Sequence, residues 1–286
     1  NGKKIGDVHL DPGQTNYEDY AYYTAFDIDP GELSGNNALG VMLGNGWYNQ
    51  YQVWRGQAEY APMVYGKPVF ICQLLIRYTD GRTETIGSDM NWKWTPGPIT
   101  YSNAYGGEHY DARREVPGWD EAGEVTGNWF TPELPEVHPT MLHEQFAEPI
   151  RVMQEIVPVS IDDMGDGSYM FDFGQNHTGW MELTIEGEKG QEILIKCAEV
   201  LRDNKLDTFT TGFRATGVVQ TQKYICSGEG TETWHPRFNY HGYRFAHVFG
   251  LKEPPTRVLL TSQVLHSSFE NAGTFRCSEE NLNRLH

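Results

Sequence analysis

Positive charge is scarce in this chain. Its 286 residues include 22 lysines and arginines against 39 aspartates and glutamates, which gives a formal net charge of −17 at pH 7. Proteins bind nucleic acids mainly through Lys and Arg side chains that displace counterions from phosphates, so this balance argues against DNA or RNA as a partner. The sequence also lacks an apolar run of membrane-spanning length, and no membrane segment is expected.

Cysteine is rare as well. The four cysteines lie far apart and form no CxxC pair; they are Cys72, Cys197, Cys226 and Cys277. This spacing indicates neither a zinc knuckle nor a dense disulfide framework. We therefore expect buried free thiols.

Helical periodicity is almost absent, whereas short alternating apolar runs recur and are punctuated by 31 glycines and 15 prolines. This pattern is typical of β-sandwiches. A strand, a turn at Asp80-Gly81 and a return strand are predicted over residues 68–86. The runs MELTIEG and QEILIKC (181–197) are predicted to form a second hairpin-like pair. We predict an all-β fold.

The stretch TPELPEVHPTMLHEQFAEP (131–149) contains four prolines and four acids. Because proline fixes φ and disfavours helix in the residue before it, we interpret this stretch as an extended connector. One β-sandwich is then expected over residues 1–130 and another over 150–270, since the chain is long enough for two domains of about 150 residues.

Helix is predicted only at the end of the chain, in FRCSEENLNRLH. Ser278 suits an N-cap position, two acids follow in the first turn, and Leu282 and Leu285 form an apolar stripe. Nothing after His286 packs on that stripe, and the opening Asn1-Gly2 hairpin signal has no strand before it. We therefore expect an interior segment of a longer protein.

Motifs in both halves of the chain resemble one enzyme family. GNNALGVMLGNGWY (35–48) and YGGEHYDARREVPGW (105–119) resemble the N-terminal domain of bacterial α-L-rhamnosidases, glycoside hydrolase family 78. FDFGQNHTGWMELTIEG (171–187), AEVLRDNKLDT (198–208) and ETWHPRFNYHGYRFAHVFG (232–250) resemble the concanavalin-like β-sandwich of the same family. Residues 271–286 resemble the entry into its (α/α)6 catalytic barrel.

The resemblance implies two consecutive β-sandwiches, a jelly roll and a concanavalin-like domain. It further implies a parent enzyme that hydrolyses terminal α-L-rhamnose from glycosides or polysaccharides with inversion, using two carboxylic side chains. Both would lie beyond His286, so no catalytic residue is assigned and this chain alone is expected to be inactive. The implied partners are a rhamnose-containing glycoside or polysaccharide and the enzyme's own catalytic barrel.

Two matters stay open from the sequence. The alternative function is a free-standing carbohydrate-binding or structural module without hydrolase activity, and the length of the complete open reading frame separates the two. A signal peptide would precede Asn1, so the location stays open; a periplasmic or extracellular location is favoured, with the cytoplasm as the alternative.

The loop LGNGWYNQYQVWRGQ (43–57) combines aromatic rings with amides. Sugars bind where an aromatic face meets the C–H face of the ring while amides and carboxylates fix the hydroxyl groups. We therefore expect Asn45, Trp47 and Trp54 to contribute to a sugar site. The alternative is that Trp47 and Tyr48 are core residues at the end of a strand.

The segment GGEHYDARRE (106–115) supplies Glu108 and Asp111. Some members of the resembling family carry a rhamnose-binding jelly roll that contains calcium, and Ca²⁺ prefers carboxylate and carbonyl oxygens. We expect Glu108 and Asp111 to join the sugar site as ligands of such an ion, with no other cofactor required. Alternatively, Arg113 and Arg114 pair with these acids on a solvated strand.

Overall fold

The structure is a computed structural model that describes residues 1–49, 65–135, 141–209 and 220–285. In chain order, the strands of the first part are β1 (Tyr20–Tyr23), β2 (Gln73–Arg77), β3 (Thr83–Gly87), β4 (Ile99–Asn103), β5 (Gly107–Asp111) and β6 (Met141–Glu144). The later elements are β7 (Ile150–Ile156), β8 (Ser160–Asp163), β9 (Tyr169–Glu186), β10 (Glu192–Ala198), β11 (Leu201–Arg202), β12 (Lys205–Leu206), β13 (Thr221–Ile225), β14 (Thr231–Trp234), β15 (His241–Phe249), β16 (Leu260–Ser267) and α1 (Glu280–Leu285).

Ten of these strands form one large sheet. Its main path runs β4-β5-β13-β10-β15-β9-β16-β7, and β14 and β8 both pair with β9. Three two-stranded sheets complete the described strands: β1 with β6, β2 with β3, and β11 with β12. The all-β prediction is confirmed, and so is the single helix at the end of the chain.

The large sheet takes two strands from the first part of the sequence. Strand β5 runs parallel to β13, with His109 opposite Lys223 and Asp111 opposite Ile225. At Gly107, the first residue of β5, the backbone comes very close to that of Thr221. The φ of Gly107 is +118°, and a Cβ atom there would lie 1.8 Å from the carbonyl oxygen of Thr221. Only glycine lets the two backbones come so close.

The hydrophobic core lies on one face of this sheet, because side chains two apart along a strand project to the same side. On β9 the buried residues include Phe171, Phe173, Met181 and Leu183. The other core residues come mainly from β10, β13 and β15, and the core also includes Tyr110 of β5. Tyr110 stacks on Tyr224 of β13, with ring centroids 5.8 Å apart.

The hairpin predicted around Asp80-Gly81 is confirmed, since β2 and β3 pair antiparallel and Gly81 has a φ of +89°. The second predicted pair is wrong. MELTIEG and QEILIKC lie in β9 and β10, but β15 is inserted between these strands in the sheet. These two runs are neighbours in the sequence but not in the sheet, because β15 pairs with both of them.

Helix α1 begins at Glu280, two residues after the predicted start at Ser278, and the Asn281 N–H group donates to Glu279 Oε1 at 3.3 Å. Such differences are usual at helix ends.

All four cysteines are free thiols, and Cys197 and Cys226 are buried. Over the described ranges, no helix has the length and apolar character needed to cross a membrane.

Candidate functional site

Glu108 is the most enclosed of the predicted site residues. It lies on β5 with no solvent exposure, and its Oε2 atom accepts the backbone N–H groups of Arg237 and Phe238 at 3.1 and 3.3 Å. Its other oxygen, Oε1, is buried and has no hydrogen-bond partner among the described residues. Burial raises the pKa of the Glu108 carboxyl to about 7, although the two N–H groups and the Arg237 charge act in the opposite direction.

A chain of buried amides continues from Glu108 into the large sheet. The Glu108 N–H group donates to Gln222 Oε1 at 2.7 Å, and Gln222 Nε2 donates to Asn239 Oδ1 at 2.7 Å. The two bonds fix the orientation of both amide side chains. His241 lies at the end of this chain, 3.4 Å from Gln222 Nε2, and burial lowers its pKa to about 4. These polar groups connect β5 to β13 and β15.

The described part of the predicted aromatic loop, residues 43–49, packs beside these polar groups. Asn45 Nδ2 donates to the carbonyl oxygen of Ser102 at 2.9 Å, and the rings of Trp47 and Tyr105 meet edge to face with centroids 5.2 Å apart. A Cβ atom at Gly44 would lie 2.3 Å from the Phe238 ring. These contacts attach the loop to the rest of the fold. Trp54 lies outside the described residues.

Asp111 makes a different set of contacts. Both of its carboxylate oxygens accept hydrogen bonds from Arg113, from Nε and from Nη2, each at 2.8 Å. Asp111 also caps the short 3₁₀ turn Ala112–Arg114. The Arg113 guanidinium holds the pKa of the Asp111 carboxyl below its usual range. This pairing corresponds to the alternative that the sequence left open for this acid.

The structure does not bring the carboxyl groups of Glu108 and Asp111 together. They are three residues apart on one regular strand, so their side chains project from opposite faces of the sheet. One carboxylate is bound to backbone N–H groups and the other to a guanidinium. Within residues 1–49, 65–135, 141–209 and 220–285, no group of three or more His, Cys, Asp or Glu side chains could hold a metal ion. The sugar and calcium roles of these residues stay a prediction.

Two carboxyl groups among the described residues have a raised pKa, the property expected of a general acid. Glu108 is sealed inside the protein. Glu182, on β9, has its pKa raised by partial burial and by the charge of Glu155, and its Oε2 accepts a hydrogen bond from Gln263 at 2.7 Å. Neither arrangement provides a carboxyl in an open cleft.

Comparison with known proteins decides the family. The family model described as the alpha-L-rhamnosidase N-terminal domain matches residues 1–154, and the bacterial alpha-L-rhamnosidase concanavalin-like domain matches residues 162–266. The chain belongs to the bacterial α-L-rhamnosidase family. An alpha-L-rhamnosidase from Formosa agariphila is 37% identical over 291 residues, an alignment that covers all of this chain and 30% of the relative.

Solved structures of α-L-rhamnosidases have the same fold. The enzyme from Dictyoglumus thermophilum has a TM-score of 0.85 and 36% sequence identity, covering 99% of this chain and 31% of that one. The enzyme from Streptomyces avermitilis, solved in complex with L-rhamnose, has a TM-score of 0.76 and 28% identity, covering 94% and 26% of the two chains. This chain therefore spans about a third or less of each of these rhamnosidases.

Sequence reasoning missed most of the groups around Glu108. Gln222 and the N–H groups of Arg237 and Phe238 contact Glu108 from more than 110 residues away, and Asn239 contacts Gln222. The one available signal was an unusual density of polar residues inside strand-like runs, as in TQKYI and NYHGYRF. Polar side chains within buried strands require hydrogen-bond partners, but the sequence does not identify them.

Proposed function

We propose that this chain is an accessory, non-catalytic part of an α-L-rhamnosidase that hydrolyses terminal α-linked L-rhamnose from glycosides or polysaccharides with inversion. The observation that carries the proposal is the ordered match to two rhamnosidase domains, 1–154 and 162–266. The relatives are about three times longer than the match, which covers 30% of the first of them. We therefore expect the reacting carboxyl groups to lie in the part of the parent enzyme that corresponds to the unmatched 70% of this relative.

The chemistry of the described residues supports this division. An inverting glycosidase needs two carboxyl groups about 6.5–9.5 Å apart, with room between them for a sugar and a water molecule. Glu108 is closed off by the loop that contains Arg237 and Phe238, and Glu182 is bound by Gln263. The other acids with a resolved pKa shift have lowered values, which suits ionised structural groups rather than a proton donor.

The proposal assigns two partners to the parent enzyme. One is a rhamnose-containing glycoside or polysaccharide, and the other is the enzyme's own catalytic domain. The chain contributes an all-β unit in which β4 and β5, from the part matched by the N-terminal domain model, belong to the large sheet built mainly by the concanavalin-like domain.

The test is a hydrolysis assay with an aryl α-L-rhamnoside. The chain alone should release aglycone no faster than buffer, whereas the product of the complete open reading frame should turn the substrate over. Glu182→Gln in that complete protein should leave kcat within a few-fold of the unsubstituted enzyme. Turnover by the chain alone that disappears with Glu182→Gln would refute the proposal, and a complete protein without activity would favour a free-standing module.

A further inference from the structure

A small cavity lies away from the predicted sugar site, where the start of the chain meets the beginning of β7. It has a volume of about 220 Å³, and the residues that line it come from three segments: Gly6, Asp7, Val8 and Asp11; Thr24, Ala25 and Phe26; and Gln145, Ala147, Pro149 and Arg151. A neighbouring cavity of about 380 Å³ shares Gly6 and Asp7 with it.

The polar groups of the smaller cavity are held in place by each other. Asp11 is the centre of the arrangement: its Oδ2 accepts from Thr24 Oγ1 at 2.9 Å, and its Oδ1 accepts from Gln145 Nε2 at 2.8 Å. Gln145 Oε1 in turn accepts the N–H group of Gly13 at 2.7 Å. Side chains that are fixed before a ligand arrives lose less entropy on binding.

A guanidinium group lies on the other side of the cavity. Arg151 Nε donates to the two oxygens of Asp7 at 2.9 and 3.0 Å, and its Nη1 donates to Ser268 Oγ. The lining therefore carries two carboxylates and one guanidinium, and this balance disfavours an anion as the ligand.

An aromatic ring completes the lining. Phe26 is 44% exposed, and its ring lies over Gly6, where a Cβ atom would be 2.8 Å from the ring. Gly6 has a φ of +70°, a conformation that L side chains rarely adopt. A glycine at this position is thus what allows the ring to lie beside the cavity.

We propose that this cavity binds one neutral saccharide unit. Carboxylates accept hydrogen bonds from sugar hydroxyl groups, the amide and the guanidinium donate to sugar oxygens, and a phenyl ring packs on the C–H face of a pyranose. The lining provides all three kinds of group: Asp7 and Asp11, Gln145 and Arg151, and Phe26. The site is separate from the residues predicted from the sequence, Asn45, Trp47, Glu108 and Asp111.

L-Rhamnose is the first sugar to test, and this choice alone rests on the proposed function. Binding is measured by calorimetry and by the NMR shifts of the Phe26 ring in the 286-residue chain, with L-rhamnose, D-glucose and D-galactose. We expect affinity on the order of millimolar for at least one sugar, as one ring contact and a few hydrogen bonds usually give. Because no hydrolysis is measured, the result is independent of whether the parent enzyme is a rhamnosidase.

Matched variants locate the bound sugar. Phe26→Leu and Asp7→Asn should each weaken binding several-fold to about tenfold. Two controls should bind like the unsubstituted chain: Phe146→Leu, which alters an 85% exposed ring outside the lining, and Asp203→Asn, which alters a distant turn. Thermal unfolding of each variant shows that it is folded.

The outcomes separate the two sites. Loss of binding in Phe26→Leu and Asp7→Asn, with both controls unchanged, would support the cavity. Binding that survives these two substitutions but is lost in Trp47→Ala, in Asp111→Ala or on addition of a chelator would overturn it in favour of the sequence-predicted site. The absence of binding for all three sugars, with the Phe26 ring signals unmoved, would also overturn it.

Discussion

The carboxylate of Glu108 accepts the backbone N–H group of Arg237, 129 residues further along the chain, at 3.1 Å. A second N–H group, from Phe238, reaches the same oxygen. Through these bonds one side chain of β5 holds the loop between β14 and β15. The loop in turn places the Phe238 ring against Gly44.

Glu108→Ala should lower the free energy of unfolding by about 1–3 kcal/mol at pH 6. The substitution leaves two N–H groups without their acceptor and creates a cavity. Urea denaturation measures the difference. Glu186→Ala, at an exposed position of β9, is the matched control and should change the free energy by less than about 0.5 kcal/mol. Equal effects of the two substitutions would contradict a special role for the Glu108 contacts.

The stability difference between Glu108→Gln and the unsubstituted chain should depend on pH. The folded-state pKa of Glu108 is about 7, above its ordinary value of 4.5, so the folded chain binds this proton more tightly than the unfolded chain. Its contribution to stability is therefore present below about pH 4.5 and is lost as the pH rises to about 7. Glutamine does not ionise, and the variant should gain relative stability across this window.

The comparison must be made between the two chains at each pH. Burial lowers the pKa values of His9 and His241 to about 4, and these groups make both chains less stable as the pH falls from 6.5 towards 4. The histidine effects cancel in the difference. A difference that is constant between pH 4.5 and 7.5 would show that Glu108 titrates normally.

Gly44→Ala should destabilise the chain by about 1–3 kcal/mol, because its Cβ atom would lie 2.3 Å from the Phe238 ring. Gly35→Ala is the control, since a Cβ atom at Gly35 meets nothing within 4 Å. Thermal unfolding of the single variants, and of Gly44→Ala combined with Phe238→Leu, measures the effect. If the contact is the cause, the double variant should recover part of the loss.

The hairpin formed by β2 and β3 should promote self-association of the chain. Leu75 and Ile86 are about half exposed on it, and Ile71 just before it is 74% exposed. Apolar groups on a two-stranded hairpin with open edges favour contact between copies. Leu75→Lys should lower the apparent mass at high concentration in light scattering, whereas Thr231→Lys, at an exposed position of β14 away from the hairpin, should have less effect. Equal masses for all three chains would exclude this surface.

The strands could be predicted from the sequence because alternation and turn residues act locally. The runs that contain β13, β15 and β16 and the Asp80-Gly81 turn all carry this signal. The order of strands in the sheet depends on contacts between distant segments. For this reason β9 and β10 were paired wrongly, since nothing in either run shows that β15 lies between them.

The surroundings of the predicted site residues could be predicted less well. Acidic residues on a strand with arginines nearby usually form ion pairs with them at the surface. Asp111 does pair with Arg113. Glu108 is buried, with Gln222 bound to its backbone N–H group and the N–H groups of Arg237 and Phe238 bound to its Oε2 atom. Its sequence neighbours carry no sign of these partners. The cavity beside Phe26 likewise joins three segments that are separate in the chain.

The parallel pairing of β5 with β13 has a consequence for how these proteins can change over time. The two rhamnosidase domains are continuous in hydrogen bonding, since β4 and β5 form one end of the sheet built mainly by the concanavalin-like part. An exchange of genetic material that replaced residues 1–130 alone would also replace the strand against which Tyr224 and Gln222 pack. The two parts should therefore be inherited together, and a natural hybrid should change compensating residues on both sides of the β5–β13 seam.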